Sequence, residues 1–148
     1  MSSLYIWIIV LGTSIVLFLF NHFYVFNKAN SAKIQCKDIT PIYNNPILGT
    51  GNMIGITIQK GSRFDYNTGA CAGYSFLTIL LPIIPINCYL LKETGYHRES
   101  HKKATTYYKF YGRLPWNIWE ILFIYLWWYP LAFGVISIIS IISIMCES

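Results

Sequence analysis

Two histidines four positions apart, His97 and His101, are the residues whose spacing most resembles a chemical site. On a helix, this spacing would place both imidazoles on one face, where they could share a metal ion. The order His-Arg-Glu-Ser-His differs from the His-Glu-x-x-His pattern of zinc hydrolases, and the sequence offers no evident third ligand. Because the segment is typical of a solvated loop between strands, we expect no metal ion and no cofactor here.

Glu120 is the only carboxylate in the long apolar segment 116–146. An ionisable group inside a membrane segment is a candidate for a proton relay or a substrate contact. Glu120 lies about one helical turn after Trp116, so we expect its side chain to reach the lipid headgroup layer. The sequence indicates no second buried charge and hence no transport path. We expect Glu120, His97 and His101 to be dispensable for folding and membrane insertion.

The remaining reactive residue types form no catalytic pattern. Gly49-Thr50-Gly51 is not followed by the Gly-Lys-Ser/Thr of a phosphate loop, and nothing singles out a nucleophilic serine. The four cysteines form no Cys-x-x-Cys pair and are expected to be reduced thiols without a metal: Cys36, Cys71, Cys88 and Cys146. The sequence therefore predicts no catalytic, cofactor-binding or metal site.

The composition indicates a membrane protein. Of 148 residues, 55% are hydrophobic and only 11% are charged, whereas a soluble domain has about 25% charged residues. The core of so small a protein cannot bury this much apolar surface. Lipid is therefore the natural solvent for the surplus. The net charge of +5 suits anionic lipid headgroups better than nucleic acid, because the basic residues are dispersed between two apolar ends.

The two apolar ends are each long enough to cross a bilayer. Residues 4–26 carry no formal charge and would reach about 34 Å as a helix. A cleaved signal peptide is the alternative, but residues 1–3 contain no Lys or Arg and the apolar stretch is too long. Residues 116–146 form the second predicted transmembrane helix, which Pro130 is expected to kink.

Small residues recur at every third position in the second half of this helix and would let another helix approach closely. We call Gly134, Ser137, Ser140 and Ser143 the small-residue ridge. Its predicted partner is either the first helix, at residues 12–14, or another chain.

Residues 70–91 carry no charge and could be mistaken for a third span. Pro82 and Pro85 would interrupt a helix, and residues 86–90 alternate as a strand does. Residues 53–59 and 105–111 also have strand character, with turns predicted at 60–62 and 67–69. We therefore predict an antiparallel β domain of about four strands over residues 27–115. The stretch around the two prolines is expected in the headgroup region or against the helices.

The distribution of basic residues predicts the topology. All eleven lie between Lys28 and Arg113, so two spans place them on one side of the membrane, in agreement with the positive-inside rule. The predicted fold class is thus α+β, with two transmembrane helices flanking a cytoplasmic, membrane-associated β domain. Both termini are expected outside the cytosol.

The β domain contains Gly49-Thr50-Gly51, a Pro82-Ile83-Ile84-Pro85 segment leading into a strand, and Pro115-Trp116-Asn117 before a helix. This arrangement resembles an uncharacterised group of small bacterial membrane-associated proteins with a Pro-x-x-Pro β corner. The chain departs from that group's pattern by lacking a Trp near Ser75 and by having Pro115-Trp116-Asn117 where the group has a Leu-Asn-Trp entry to the helix. The resemblance implies a small β module at the bacterial inner (plasma) membrane, and it implies no activity.

These observations favour a non-enzymatic, membrane-anchored accessory or interaction protein. Its expected partners are the lipid bilayer and another membrane protein or a second copy of the chain. The alternative is a membrane enzyme or transport component that acts on a lipidic substrate through Glu120 or the histidine pair.

Overall fold

The computed structural model describes residues 2–31, 33–42, 54–100 and 103–147. The chain begins with α1 (Ser2–Phe20), one π-helical turn (Asn21–Val25) and α2 (Phe26–Asn30), which follow one another without a break. A 3-10 turn (Cys36–Asp38) leads to four strands: β1 (Ile54–Asp65), β2 (Ala70–Ile79), β3 (Leu81–Ser100) and β4 (Lys103–Arg113). The chain continues into α3 (Ile118–Glu147). The predicted α+β architecture, two long apolar helices flanking an antiparallel sheet, is confirmed.

The strands form one antiparallel sheet in which each strand pairs with its neighbour in sequence, in the order β1-β2-β3-β4. The predicted turn at 67–69 joins β1 to β2. There the Asp65 carboxylate accepts hydrogen bonds from Asn67 N and Thr68 Oγ1. Gly69 adopts a positive φ of 69°, which favours glycine.

Residues 70–91 form β2 and the first half of β3 and are not a helix. Both prolines lie inside β3, a strand of 20 residues. Pro82 lies opposite Thr78 and Pro85 opposite Phe76, with register shifts at these pairs. The prolines are tolerated because β4 ends opposite Tyr89, which leaves this part of β3 as an edge that needs no further N–H donors.

Two other sequence expectations are corrected. Lys60-Gly61-Ser62 is not a turn, because β1 continues through it with a bulge that shifts the β1–β2 register between Lys60 and Phe64. Residues 97–100 are not a loop but belong to β3, where His97 pairs with Thr105 on the Tyr- and Thr-rich β4. His101 and residues 49–51 lie outside the described residues.

The N-terminal helix and α3 pack antiparallel. Phe18 contacts Trp127 with ring centroids 5.2 Å apart, and Tyr24 contacts Trp119 at 6.0 Å, so residue numbers rise along one helix as they fall along the other. Both helices are long and apolar enough to cross a membrane. Only 6% and 11% of their most apolar windows are buried within the chain.

The first turns of α3 cover one face of the sheet. Alternate residues of β2 point toward this helix and form the core with residues of β3 and α3: Ala70, Ala72, Tyr74, Phe76, Cys88, Leu90, Ile121 and Ile124. On the other face, Leu91 lies over Gly73, where a Cβ would come within 2.6 Å of Leu91 Cδ2. The core on the first face therefore fixes the sheet to the first turns of α3.

Candidate functional site

Glu120 lies in the first turn of α3 and faces the bulge of β1. Its side chain is 0% exposed. The expectation that it reaches the headgroup layer is therefore wrong. The helix begins on the sheet, so the carboxylate enters the interface between the two elements instead of extending into solvent.

The β1 bulge directs two consecutive backbone N–H groups at one oxygen of this carboxylate. Glu120 Oε1 accepts hydrogen bonds from Ser62 N at 2.9 Å, Arg63 N at 2.7 Å and Ser62 Oγ at 3.3 Å. A Cβ on Gly61 would lie 2.8 Å from the same oxygen. Glycine at position 61 is thus what allows the carboxylate to approach the backbone so closely.

Arg63 supplies the opposite charge, with only 6% of its side chain exposed. Its Nε donates to Glu120 Oε2 at 2.9 Å, and its Nη2 donates to the Pro115 carbonyl at 2.8 Å and to Tyr74 OH at 3.1 Å. Nη2 also lies 3.5 Å from Cys88 Sγ. We refer to Ser62, Arg63, Tyr74, Cys88 and Glu120 as the buried ion-pair cluster.

Tyr74 completes the hydrogen bonding of the cluster. Its hydroxyl donates to Glu120 Oε2 at 2.6 Å and accepts from Asn117 N at 2.9 Å. The cluster therefore joins three pieces of chain that are distant in sequence: the β1 bulge, the centre of the sheet, and the segment that leads into α3.

The surroundings of Arg63, Tyr74 and Cys88 keep each of these side chains in one protonation state near pH 7. Burial, the largest single effect, would lower the pKa of Arg63, but its interactions with Glu120, Tyr74 and Cys88 together outweigh burial, so the pKa is raised and the guanidinium stays charged. Burial raises the pKa of Tyr74 and raises that of the Cys88 thiol to about 12. Tyr74 and Cys88 are therefore neutral near pH 7 and act as hydrogen-bonding partners, not as nucleophiles.

The chemistry of this arrangement is that of a structural junction. Both carboxylate oxygens accept hydrogen bonds from within the chain, and the ion pair is shielded from water. A proton relay or a catalytic acid needs access to the group with which it exchanges a proton. The buried ion-pair cluster instead holds α3 against the sheet.

Arg63, Tyr74 and Gly61 were missed by sequence reasoning. Arg63 was treated only as one of the basic residues that set topology. A lone carboxylate in an apolar helix is a signal that a cation should lie nearby, because buried charges are paired. The sequence does not say which of eleven basic residues provides the partner.

The small-residue ridge lies partly against the N-terminal helix. A Cβ on Gly134 would lie 3.8 Å from Ser14 Cβ, and Ser137 is fully buried. The Ser137 hydroxyl donates to the Phe133 carbonyl of its own helix, at 2.7 Å. Ser140 is half-buried and Ser143 is exposed. The structure thus brings the first half of the ridge into an intramolecular contact and leaves the second half more open.

A groove of about 310 Å³ lies between the two helices beside this contact. Its walls come from α1 between Ile9 and Leu17 and from α3 between Leu126 and Phe133, including Pro130. No charged residue lines it. Its apolar lining suits a hydrocarbon chain.

His97 lies on β3 and His101 is not described. Over residues 2–31, 33–42, 54–100 and 103–147, no three His, Cys, Asp or Glu side chains cluster as metal ligands. Cys36 and Cys146 are exposed free thiols, whereas Cys88 is buried. The absence of a zinc site stays a prediction.

Compared with known proteins, the chain matches no protein family, no curated protein and no solved structure. The resemblance to small bacterial membrane-associated proteins therefore stays a prediction as well.

Proposed function

We propose that this chain is an integral membrane protein that holds a small β-sheet at the cytosolic surface of the membrane and acts there as a non-enzymatic accessory or interaction protein. The two apolar helices would span the bilayer, with both termini outside the cytosol. From the sequence resemblance, we infer that this membrane is the bacterial inner membrane.

The observation that carries the membrane part of the proposal is the exposure of the apolar helices. The core helix of a soluble protein hides its apolar residues inside the protein. Here, only 6% of the most apolar window of the N-terminal helix and 11% of that of α3 are buried. So large an apolar surface requires lipid or another protein around it.

The non-enzymatic part of the proposal rests on the buried ion-pair cluster. Its charged side chains are almost completely buried, and its hydrogen bonds are made within the chain. This favours a rigid connection between helix and sheet over a reactive site. The runner-up is a component that acts on a lipidic substrate, and the observation in its favour is the apolar groove beside Pro130.

Site-specific photo-crosslinking in intact membranes tests the interaction role. We would place a photoreactive amino acid at Ile139, an exposed position of α3, and at Tyr66 in the exposed β1–β2 turn. A discrete crosslinked species at either position, identified as one protein or as a second copy of this chain, would support the proposal. The matched control is Ser137, which is buried against the N-terminal helix and should give no intermolecular product.

Turnover of an added lipid by the reconstituted protein, together with no crosslinked protein at Ile139 or Tyr66, would favour the runner-up instead.

A further inference from the structure

The β2–β3 hairpin ends in an exposed apolar tip. Between Leu77 and Ile86 the following residues are exposed on the sheet: Leu77, Ile79, Leu80, Ile83, Ile84 and Ile86. We call these six residues the hairpin tip. Exposed apolar patches of this kind mark contact with a membrane or a protein.

The charged side chains of the sheet stop at one row of paired residues. Lys60, Gly73, Tyr89 and Arg113 lie side by side across the four strands. From this row to the β2–β3 turn, residues 54–59, 74–79 and 81–88 contain no charged side chain. Lys60 and Arg113 therefore mark a boundary between a polar end and an apolar end of the sheet.

The apolar end of the sheet lies beside the part of α3 that would enter the bilayer. The Tyr129 hydroxyl donates to the Pro82 carbonyl at 2.9 Å, and the Tyr125 hydroxyl donates to the Ile83 carbonyl. A hydrocarbon core of about 30 Å takes up roughly 20 helical residues. Counted back from Met145, these reach residue 126, so the hairpin tip lies level with the predicted start of the hydrocarbon.

The backbone of the hairpin tip suits an environment that contains little water. An open strand edge is costly in lipid because its N–H and carbonyl groups need partners. Along the edge of β3 that β4 leaves unpaired, Pro82 and Pro85 have no N–H group. Two of the carbonyls on this stretch accept hydrogen bonds from the tyrosines of α3.

The turn residue gives a further indication. Leu80 has a φ of 64° and is 67% exposed. Glycine or asparagine would adopt this conformation more easily than a branched apolar residue. An apolar side chain is thus held at the apex of the hairpin in spite of the strained backbone.

We propose that the hairpin tip inserts into the bilayer at the boundary between headgroups and hydrocarbon, as a third membrane contact beside the two helices. This inference rests on the proposed membrane insertion of the helices. Lys60 and Arg113 then lie near the headgroups, where cations are attracted to anionic lipids. The sheet is held against the membrane surface and cannot rotate freely about the helix ends.

Fluorescence quenching by lipid tests this insertion. In a variant with Cys36, Cys71 and Cys146 replaced by Ser, the buried Cys88 stays unlabelled and one new cysteine carries an environment-sensitive dye. The positions are Ile84→Cys in the hairpin tip, Tyr66→Cys at the opposite end of the sheet, and Phe133→Cys on the exposed face of α3. The full chain is reconstituted in phosphatidylcholine and phosphatidylglycerol vesicles that carry a doxyl quencher high on the acyl chain.

We expect the dye at position 84 to lose most of its fluorescence, as at position 133, and the dye at position 66 to lose little. Quenching at 133 but not at 84 would overturn the hairpin insertion and leave the membrane anchor standing. A blue-shifted but unquenched dye at 84 would mean that protein covers the tip, which also overturns it. Absence of quenching at 133 would refute the proposed function itself.

Discussion

Glu120 and Arg63 form an ion pair that is almost completely removed from water, and its energetics differ from those of a surface pair. Desolvation of two charges costs several kcal/mol, and their attraction with good hydrogen bonding offsets that cost. The pair therefore adds less to stability than its geometry implies. Removal of one partner is strongly destabilising, because it leaves the other charge buried without compensation.

We expect Glu120→Gln and Arg63→Met each to lower the free energy of unfolding by about 3–5 kcal/mol. The double variant should lose clearly less than the sum of the two, because no unpaired charge remains. Unfolding in detergent micelles, followed by Trp fluorescence, measures all three. The control is Lys60→Met in the exposed Lys60–Glu93 pair, which should cost about 0–1 kcal/mol. An Arg63→Met variant no less stable than Lys60→Met would contradict this account.

Gly61 offers an independent test of the same junction. In Gly61→Ala the new methyl group would displace the Glu120 carboxylate from the N–H groups of Ser62 and Arg63. We expect a loss of about 1–3 kcal/mol, the cost of leaving buried polar groups unpaired. Gly12→Ala is the matched control, because nothing lies within 4 Å of a Cβ there. Equal stability of the two variants would show that the approach of Glu120 to the β1 bulge is not required.

At the scale of elements, the N-terminal helix and α3 are held together by aromatic pairs, a contact between small residues and a side-chain hydrogen bond. Asn21, in the π-helical turn, donates from Nδ2 to the Phe123 carbonyl at 3.1 Å, while its Oδ1 is buried without a protein partner. Gly134 meets Ser14. In lipid such contacts take the place of the hydrophobic effect, which does little to bring two apolar helices together.

The contact between Ser14 and Gly134 predicts a disulfide. A Cβ–Cβ distance of 3.8 Å lies within the range of disulfide geometry. In a background without the three unburied cysteines, oxidised Ser14→Cys/Gly134→Cys should form an intramolecular bond, seen as a mobility shift that reductant reverses. Gly12→Cys/Gly134→Cys should not form it.

Adding Ser137→Leu to the Ser14→Cys/Gly134→Cys variant should reduce its crosslinking, because Ser137 is fully buried. Adding Ser143→Leu, at an exposed position, should leave it unchanged. Only intermolecular product from Ser14→Cys/Gly134→Cys would mean that the ridge pairs with another chain.

The elements were largely predictable from local sequence, whereas the junction was not. The apolar runs, the Asn67-Thr68-Gly69 turn and the alternation in β1 report local preferences. The pairing of Arg63 with Glu120 joins positions 57 apart and depends on a bulge that places two N–H groups toward α3. The prolines of β3 correctly indicated that residues 70–91 are not a helix, but their place inside one long strand depends on where β4 ends.

At the scale of the whole molecule, apolar surface and charge are separated along one direction. The exposed faces of both helices and the hairpin tip are apolar, and the charged residues of the described strands lie from the Lys60–Arg113 row onward. Ten of the eleven basic residues lie between the two helices in sequence, and Lys28 lies in the last turn of the N-terminal helix. This separation agrees with the proposed arrangement, in which the sheet and its basic residues lie on the cytosolic side of the bilayer.

The measurement that tests this arrangement most directly is labelling with a membrane-impermeant maleimide in intact cells. Cys36 and Cys146 are both exposed and lie at opposite ends of the helical pair, whereas Cys88 is too buried to report. In variants that keep only Cys36 or only Cys146 beside Cys88, we expect Cys146 to react in intact cells and Cys36 to react only after permeabilisation. Reaction of Cys36 in intact cells, or protection of both thiols until permeabilisation, would contradict the proposed topology of two spans with both termini outside the cytosol.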